Sequence, residues 1–165
     1  MSEFEEMFTR YFGRVFRFAM KLTGSTEQAE DLTQQTFFKA LKRIDSFEGR
    51  SDAGTWLCSI AKNEYFNRSR KRREQPFEPG SAVFGGAGED VADGVQRDQT
   101  RMQIHRHLHE LDEPWREVFM LRVFGELKYA QIASLFGRTE GWARVTYYRA
   151  KLELQRRIEE ENGHG

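Results

Sequence analysis

The feature that most constrains this chain is a stretch near the C-terminus that predicts two helices joined by a tight turn. It runs from Leu127 to Leu154 and reads LKYAQIASLFGRTEGWARVTYYRAKLEL. Gly137 follows the last apolar position of the first helix, where a left-handed backbone is needed, and Thr139 can cap the second helix. A short helix, a turn containing glycine and a longer basic helix form the helix-turn-helix pattern, whose second helix lies in the DNA major groove.

Apolar residues recur three or four positions apart in both helices of this stretch, which predicts one apolar face on each helix. A corner of an ordinary helical bundle with a solvated basic face has the same pattern. The stretch therefore favours DNA binding, and an ordinary helical bundle remains the alternative interpretation. The apolar positions are Tyr129, Ile132, Ala133 and Phe136 in the first helix, and Trp142, Val145, Tyr148 and Leu152 in the second.

The distribution of charge is more informative than its total, which is zero over the 165 residues. Residues 62–73 carry six basic side chains and one acidic one, and residues 128–157 carry seven basic and two acidic ones. Between these blocks, residues 74–98 carry six acidic side chains and one arginine. Two basic blocks on either side of an acidic one predict two contacts with a polyanion and a spacer that avoids it.

The cysteine content and the N-terminus indicate the compartment. Cys58 is the only cysteine, which excludes an internal disulfide, and its apolar neighbours in WLCSIA predict a buried, reduced thiol. The N-terminal segment MSEFEEMF lacks the basic-then-apolar pattern of a signal peptide, and no apolar run approaches the roughly 20 residues that cross a bilayer. We therefore expect a cytoplasmic protein without direct membrane insertion.

Helical periodicity predicts an all-α fold of two small helical domains, and the first covers residues 1–74. Its helices are expected over residues 3–23, over about 26–46, and from Ser51 or Asp52 onward. Apolar and small residues at helical spacing predict the inward faces of the first two helices. These are Phe4, Met7, Phe8, Tyr11, Val15, Phe18, Ala19 and Leu22, followed by Ala29, Leu32, Thr36, Phe37, Ala40, Leu41 and Ile44.

The outward face of the second helix combines polar residues with one large apolar side chain. Asp31, Gln34, Gln35, Phe38 and Lys42 share this face at helical spacing. An apolar side chain within a polar stripe indicates a partner surface. The alternative is a single exposed phenylalanine, which is common on protein surfaces.

The chain beyond the first domain predicts a flexible acidic linker over residues 75–97 and a second domain over residues 98–161. The linker is rich in glycine and proline and has no helical periodicity. The second domain begins with a helix that ends near Leu111, after which Asp112 can cap the next helix. The helix-turn-helix follows, and the glutamate-rich residues 159–163 are expected to fray.

Three histidines on the first helix of this domain raise the question of a metal site. His105 and His109 would share one face, with His107 between them. No cysteine and no clear set of carboxylates completes a tetrahedral site. Ordinary histidines on a helix surface are therefore expected, and no cofactor is predicted.

Three segments, taken in order, resemble one known family. They are AEDLTQQTFFKAL, FEGRSDAGTWLCSIAKNEYFNRSRKRR and LDEPWREVFMLRVFGELKYAQIASLFGRTEGWARVTYYRAK, and they cover nearly everything except the linker. They resemble the polymerase-clamp helix, the promoter-melting and −10 region, and the −35 domain of small, extracytoplasmic-function sigma factors of bacterial RNA polymerase. The resemblance implies a non-catalytic protein that directs core RNA polymerase to promoter DNA under control of an anti-sigma factor, which is often membrane-bound.

The resemblance also implies three groups of site residues. Departures from the usual family pattern occur at Asp112, where a proline is common, and at Trp142 and Thr146 in the recognition helix. The residues expected to contact core polymerase are Asp31, Gln34, Gln35 and Phe38. Those expected to contact the −10 element and its flipped base are Gly49, Arg50, Ser51, Asp52, Lys62, Asn63 and Arg68. Those expected to contact the −35 element are Arg144, Val145, Tyr148 and Arg149.

Two other classes of protein share parts of this pattern. A dimeric helix-turn-helix regulator would need an effector pocket or a dimer seam in its N-terminal half, and neither is evident. A nucleic-acid enzyme such as a small recombinase would need a nucleophile or metal-binding carboxylates beside its basic surfaces. Ser51, Ser59 and Ser69 have no nearby base in the sequence.

Overall fold

The structure is a computed structural model that describes residues 2–47, 52–74 and 91–163. For residues 72–74 and 91–98 it describes the backbone only. Every regular element in these ranges is helical, which confirms the predicted all-α class. None of the described helices combines the length and the apolar character that a membrane span requires. The helices are α1 (Glu3–Thr23), α2 (Thr26–Lys42), a 3-10 turn (Ile44–Ser46), α3 (Ala53–Glu74), α4 (Val91–Glu110), α5 (Trp115–Val123), α6 (Tyr129–Phe136) and α7 (Glu140–Gly163).

The chain divides into two compact units, which confirms the prediction of two helical domains. The first unit contains α1, α2 and α3. The second contains α4, α5, α7 and the part of α6 that ends at Ala133. Part of the predicted linker, residues 75–90, lies outside the described residues. Its last part belongs to α4, which begins at Val91 and not near Asp98 as predicted. Gly94 obscured this start, because glycine is about 1 kcal/mol less favourable than alanine within a helix.

The three helices of the first unit meet in one apolar core. Val15, Phe18 and Leu22 of α1 pack with Leu32 of α2 and Leu57 of α3, and all five side chains are fully buried. Burying a side chain of this size is worth roughly 1.5–3 kcal/mol relative to leaving it exposed. This core therefore holds α2 in place between its neighbours and leaves one face of α2 toward solvent.

Side-chain caps set the starts of the helices in this unit. The Ser25 hydroxyl accepts a hydrogen bond from the Gln28 N–H at 3.4 Å, as its position before α2 predicts. The Asp52 carboxylate accepts from both the N–H and the hydroxyl of Thr55, at 2.9 and 2.7 Å, and so caps α3. Both caps satisfy N–H groups that have no partner within the helix.

The inward face of α2 is made largely of small residues. The Thr33 and Thr36 hydroxyls are fully buried and donate to carbonyls one turn earlier, each at 2.7 Å. The prediction that Leu41 faces inward is wrong, because 47 % of this residue is exposed. One residue rotates a helix by about 100°, so Leu41 lies well outside the face that is marked by Ala40.

In the second unit, the buried set includes a histidine that the sequence placed on the surface. His105 is only 2 % exposed, and its ring stacks on Phe124 with centroids 5.1 Å apart and planes within 2°. The expectation of a surface histidine is therefore wrong for His105, whereas the helical spacing that groups it with Leu108 and Leu111 on the apolar side of the helix is confirmed. His105 lies one turn before the buried Leu108, so it shares the inward face of α4. Within the described residues, no three His, Cys, Asp or Glu side chains form a group that could hold a metal ion.

The helix that was predicted to start at Asp112 begins three positions later. Pro114 is the capping position of α5, and no side chain caps it. Asp112 contributes its backbone carbonyl, which accepts from the Arg116 N–H at 3.2 Å. The predicted side-chain cap is therefore wrong, because the chain turns once more at Pro114 before the helix begins.

The face of α7 that packs inward combines three small residues with Leu154, which corrects the predicted apolar stripe. Ala143, Thr146 and Ala150 are buried, and α7 packs through this side against α5 and α4. The residues predicted for that stripe lie one or two positions away in sequence; Trp142 is half-buried and the other three are exposed. The three exposed ones are Val145, Tyr148 and Leu152.

The C-terminal end of α7 is held against α4, whereas the sequence predicted that it frays. The Gln103 side-chain amide donates to Glu161 at 3.0 Å, and Arg106 and His107 also contact this carboxylate. The hydrogen bond from Gln103, followed by those from His107 and Arg106, lowers the pKa of Glu161 to about 2. The fraying prediction is wrong because a local pattern does not reveal these partners, which lie more than fifty residues earlier.

We expect Ala150→Leu to lower the free energy of unfolding by about 1–3 kcal/mol, since overpacking a buried position forces its neighbours apart. Gln155→Leu places the same side chain at an exposed position of α7 and serves as the control. Thermal denaturation of the full chain, followed by helical circular dichroism, measures both. Equal stability of the two variants would contradict the orientation of α7.

We expect the stability difference between the wild type and Glu161→Gln to depend on pH. The folded-state pKa of Glu161 lies below its ordinary value of 4.5, so its contribution is fully present above that pH. The contribution is lost as the pH falls from 4.5 toward 2, and the two proteins then converge. Urea titrations at several pH values measure the free energy of unfolding of both proteins. A stability difference that grows as the pH falls below 4.5 would contradict the expectation.

Candidate nucleic-acid interface

The turn between α6 and α7 has the geometry that the sequence predicts. Gly137 adopts a positive φ of 63°, which glycine reaches without steric cost. The following N–H, that of Arg138, donates back to the Ala133 carbonyl at 3.0 Å and closes the end of α6. The Thr139 hydroxyl then accepts from the Trp142 N–H at 3.1 Å and caps α7. These bonds fix how α7 leaves the turn.

The outward face of α7 presents all four residues predicted to read the −35 element. Arg144, Val145, Tyr148 and Arg149 are exposed, with 52 % of Tyr148 accessible. Arginine can bond guanine edges or phosphates in the major groove, and apolar side chains can contact the thymine methyl group. Because the inward face is small, these larger side chains stand together on the outside.

Arg144 is already oriented before any ligand binds. Its guanidinium bonds the Glu140 carboxylate one turn earlier at 3.1 Å and lies 5.3 Å from the ring centroid of Tyr129. Arg122 approaches the same ring at 4.1 Å and donates to the Leu127 carbonyl at 2.9 Å. The Tyr129 ring thus links α5, α6 and α7, and restricts the freedom that Arg144 would lose on binding.

The two departures from the family pattern in α7 have different surroundings. Thr146 is buried on the inward face, so this position serves packing. Trp142 is half-buried in the first turn of α7, and the Arg138 guanidinium lies 5.6 Å from its ring centroid. A role for Arg138 was missed at the sequence level, although a basic residue at the turn of a helix-turn-helix was a usable signal.

The second predicted surface, on α2, is also brought together. Asp31, Gln34, Gln35 and Phe38 are all exposed along one side of the helix, and Phe38 is 53 % exposed. The Lys42 ammonium lies 4.4 Å from the Phe38 ring centroid. An exposed aromatic ring with polar and charged neighbours is a frequent composition for the centre of a protein interface.

An ion cluster between α2 and α3 lies next to this surface. Lys39 bonds the Glu64 carboxylate, and the Arg68 Nε lies 3.5 Å from the same carboxylate. Burial raises the pKa of Glu64, but the hydrogen bonds and charges of Lys39 and Arg68 outweigh it and hold the pKa below its ordinary value. Arg68 also donates to the Asp31 carbonyl at 3.3 Å, which joins α3 to the backbone of the α2 surface.

The described residues of the group predicted to contact the −10 element differ in exposure and in their partners. Asn63 is exposed, Lys62 is only 6 % exposed, and Arg68 belongs to the ion cluster. Asp52 caps α3 and lies 3.8 Å from the Arg14 guanidinium. The remaining members of the predicted group lie outside the described residues: Gly49, Arg50 and Ser51.

A row of phenylalanines along α1 was missed as a surface feature. Phe4, Phe8, Phe12 and Phe16 are four residues apart, and successive ring centroids lie 6.3, 5.3 and 6.2 Å from one another. Phe8 and Phe12 are both exposed, so the inward placement of Phe8 is wrong. The rings pack along the helix and on Phe37 of α2, and four-residue spacing was the signal for this.

Cys58 takes no part in either surface. It is completely buried in α3, as predicted. Burial raises the pKa of its thiol to about 11, with smaller effects from Arg14 and Asp52. The side chain is therefore a neutral thiol at physiological pH and acts as a small apolar group in the core.

Comparison with known proteins matches the two parts of the chain to two regions of one family. Residues 7–75 match Sigma-70 region 2, and residues 101–154 match Sigma-70, region 4. The chain is 29 % identical to the RNA polymerase sigma factor YlaC of Bacillus subtilis, over 93 % of this chain and 91 % of YlaC. It is 25 % identical to the ECF RNA polymerase sigma factor SigW of the same organism, over 94 % of this chain and 88 % of SigW.

A solved structure has the same fold over nearly the whole length. The sigma factor RpoE of Bartonella quintana, solved in complex with the anti-sigma factor NepR, superposes with a TM-score of 0.61 at 25 % identity. The match covers 96 % of this chain and 98 % of RpoE. The chain belongs to the sigma-70 family of RNA polymerase sigma factors, in its extracytoplasmic-function (ECF) group.

Proposed function

We propose that this sigma factor holds core RNA polymerase through the outward face of α2 and the −35 element through the outward face of α7. Sigma factors are non-catalytic initiation factors that direct RNA polymerase to promoters, and they bind both the core enzyme and promoter DNA. The observation that carries the proposal is the outward face of α7, where two arginines and two larger side chains stand together.

The chemistry of this face suits the major groove. A well-placed arginine that bonds a guanine edge contributes about 1–3 kcal/mol of discrimination, so Arg144 and Arg149 can supply much of the base preference. Val145 and Tyr148 offer apolar atoms to thymine methyl groups. Glu140 holds Arg144 one turn from the start of the helix, which is the end that enters the groove.

On α2, we assign Phe38 as the centre of the polymerase contact, surrounded by Asp31, Gln34 and Gln35. Binding energy at interfaces concentrates in a few large, well-packed side chains, whereas polar neighbours supply register and exclude water. The ion cluster of Lys39, Glu64 and Arg68 supports α2 from the side of α3 and so limits motion of this surface. The polymerase supplies the chemistry of RNA synthesis.

For the −10 element, we propose that residues 49–52 and part of α3 capture unstacked bases. Asn63 offers an exposed amide on α3. Capturing a flipped base has to offset an unstacking cost of a few kcal/mol. Arg68 can contribute to DNA binding once it exchanges its contact with Glu64 for a phosphate. Lys62 is only 6 % exposed, so its side chain has to move toward solvent before it can reach DNA.

Two DNA-binding units on one chain strengthen each other. Once one unit is bound, the other binds at an effective concentration set by the tether and by the shared polymerase, so modest individual affinities are sufficient. This arrangement also requires polymerase for promoter selection, which separates the proposal from a dimeric helix-turn-helix regulator.

We also propose control by an anti-sigma protein, membrane-bound as is frequent in this family, that covers the faces of α2 and α7. The related RpoE of Bartonella quintana is solved with the anti-sigma factor NepR. Polymerase and promoter DNA are cytoplasmic in bacteria, so we place the action of this chain there. Competition between the anti-sigma protein and core polymerase would then set the amount of active holoenzyme.

We expect Arg149→Ala to reduce promoter-specific transcription about tenfold or more, because a lost bidentate base contact costs about 1–3 kcal/mol. Binding to core polymerase should be unchanged, since Arg149 lies on α7. Run-off transcription with purified core polymerase measures the first quantity, on a promoter found by sequencing transcripts from a genomic library. A pull-down measures the second.

The wild-type chain in the same assay tests the proposed function directly. If adding it to core polymerase leaves the choice of start sites unchanged, the function is wrong. Equal loss of transcription and of polymerase binding by Arg149→Ala would instead indicate misfolding of the variant.

We expect Asp31→Lys combined with Phe38→Ala to weaken binding to core polymerase by at least tenfold, because the loss of a side chain at the centre of an interface costs about 2 kcal/mol or more. Glu6→Lys, an exposed charge reversal on α1, is the matched control and should bind normally. Affinity is measured with fluorescently labelled full chain. Unchanged affinity of the double variant would exclude this face of α2 from the polymerase contact.

A further inference from the structure

Arg138 and Trp142 form a pair at the N-terminal end of the recognition helix, outside the group of residues predicted to read the −35 element. The Arg138 guanidinium carbon lies 5.6 Å from the Trp142 ring centroid, within the range of a cation–π contact. Arg138 is exposed and Trp142 is half-buried. The Trp142 ring therefore orients the Arg138 side chain, and the positive charge of Arg138 lies at the surface.

The backbone on both sides of this pair is fixed by hydrogen bonds. The Arg138 N–H donates to the Ala133 carbonyl at 3.0 Å, which anchors the residue to the end of α6. The backbone N–H of Trp142 donates to the Thr139 hydroxyl at 3.1 Å, which fixes the backbone of Trp142 in the first turn of α7. Neither partner depends on a long loop for its position, so the geometry of the pair follows that of the helix-turn-helix itself.

Arg138 places a positive charge just before the start of α7. Glu140, which follows it by two residues, pairs with Arg144 at 3.1 Å. The N–H groups and the dipole at the start of α7 add a partial positive charge next to the Arg138 guanidinium. A negatively charged group placed here would meet a guanidinium and a helix terminus together.

We propose that Arg138 is a phosphate-binding residue of the −35 interface and that Trp142 is its positioning residue. The inference rests on the proposed docking of α7 in the major groove. When the N-terminal end of a recognition helix enters the groove, the turn before it comes close to the phosphate backbone. Arginine binds phosphate through paired N–H donors, and phosphate contacts fix the orientation of the protein on the duplex.

This assignment gives a role to a residue by which the chain departs from the family pattern. A long arginine side chain loses rotamer entropy when it binds, and stacking on an indole removes part of that freedom beforehand. Trp142 therefore raises affinity through Arg138 and contacts no base. The pair strengthens binding at every −35 sequence by the same factor, in contrast to Arg149.

The test uses holoenzyme reconstituted from the full chain and core polymerase, bound to a promoter fragment mapped by transcript sequencing. Affinity is measured between 50 and 200 mM salt. Losing one phosphate contact lowers the slope of log affinity against log salt by about 0.9, so the advantage of the wild type over Arg138→Ala should shrink about threefold over this range. The affinity ratio at each salt concentration should be the same on promoters with altered −35 bases.

Variants at Trp142 test the pairing. Trp142→Ala should lower the affinity of the holoenzyme for the promoter fragment, as Arg138→Ala does. The double variant should lose no more affinity than Arg138→Ala alone. Trp142→Phe should keep most of the affinity. Arg156→Ala removes an arginine that is bonded to Glu153 and Glu160 on α7 and should leave the salt slope unchanged. Circular dichroism and core-polymerase binding confirm that each variant is folded.

Three results would overturn the inference while leaving the proposed function intact. They are an unchanged salt slope in Arg138→Ala, a loss that depends on one −35 base pair, and additive losses for Arg138→Ala and Trp142→Ala. The first removes the phosphate contact, the second makes Arg138 a base reader, and the third separates the two residues. A wild-type holoenzyme that fails to initiate at any promoter would overturn the proposed function and the inference together.

Discussion

The structure of the second unit depends on the inward face of α7, where three small residues precede the buried Leu154. Ala143, Thr146 and Ala150 let this helix lie close to α5 and α4, and larger residues there would push the helices apart. The same register turns Val145 and Tyr148 to the outside. Packing and recognition are therefore two consequences of one helix orientation, and a rotation of α7 by one residue would lose both.

The first unit uses a related arrangement on α2. Its buried face also relies on small residues, with the Thr33 and Thr36 hydroxyls bonded to backbone carbonyls of their own helix. This leaves the opposite face to Phe38 and its polar neighbours, and the Lys39–Glu64–Arg68 cluster ties that face to α3. In each unit, one helix with a small inner side presents a chemically distinct outer side.

Much of the fold and of the candidate site could be predicted from short-range signals. The bounds of α1, the Ser25 cap, the Gly137 turn and the Thr139 cap all follow from residues within a few positions of one another. The α2 and α7 faces were found partly from helical spacing and partly from the family resemblance. The errors at Leu41, His105 and Glu161 have another origin: each concerns a side chain whose environment is set by a neighbouring helix.

The sequence by itself determined the helical class, the two-unit organisation, the helix-turn-helix and the family, because these depend on local periodicity, caps and motif order. Only the tertiary structure decided which side of α7 faces the core, since Trp142 and Ala143 begin two competing stripes that lie one or two residues apart. It also decided that Arg138 stacks on Trp142 and that Arg68 bonds Glu64 and the Asp31 carbonyl. Contacts between side chains depend on the direction in which each helix leaves its turn, and residue spacing alone does not contain that direction.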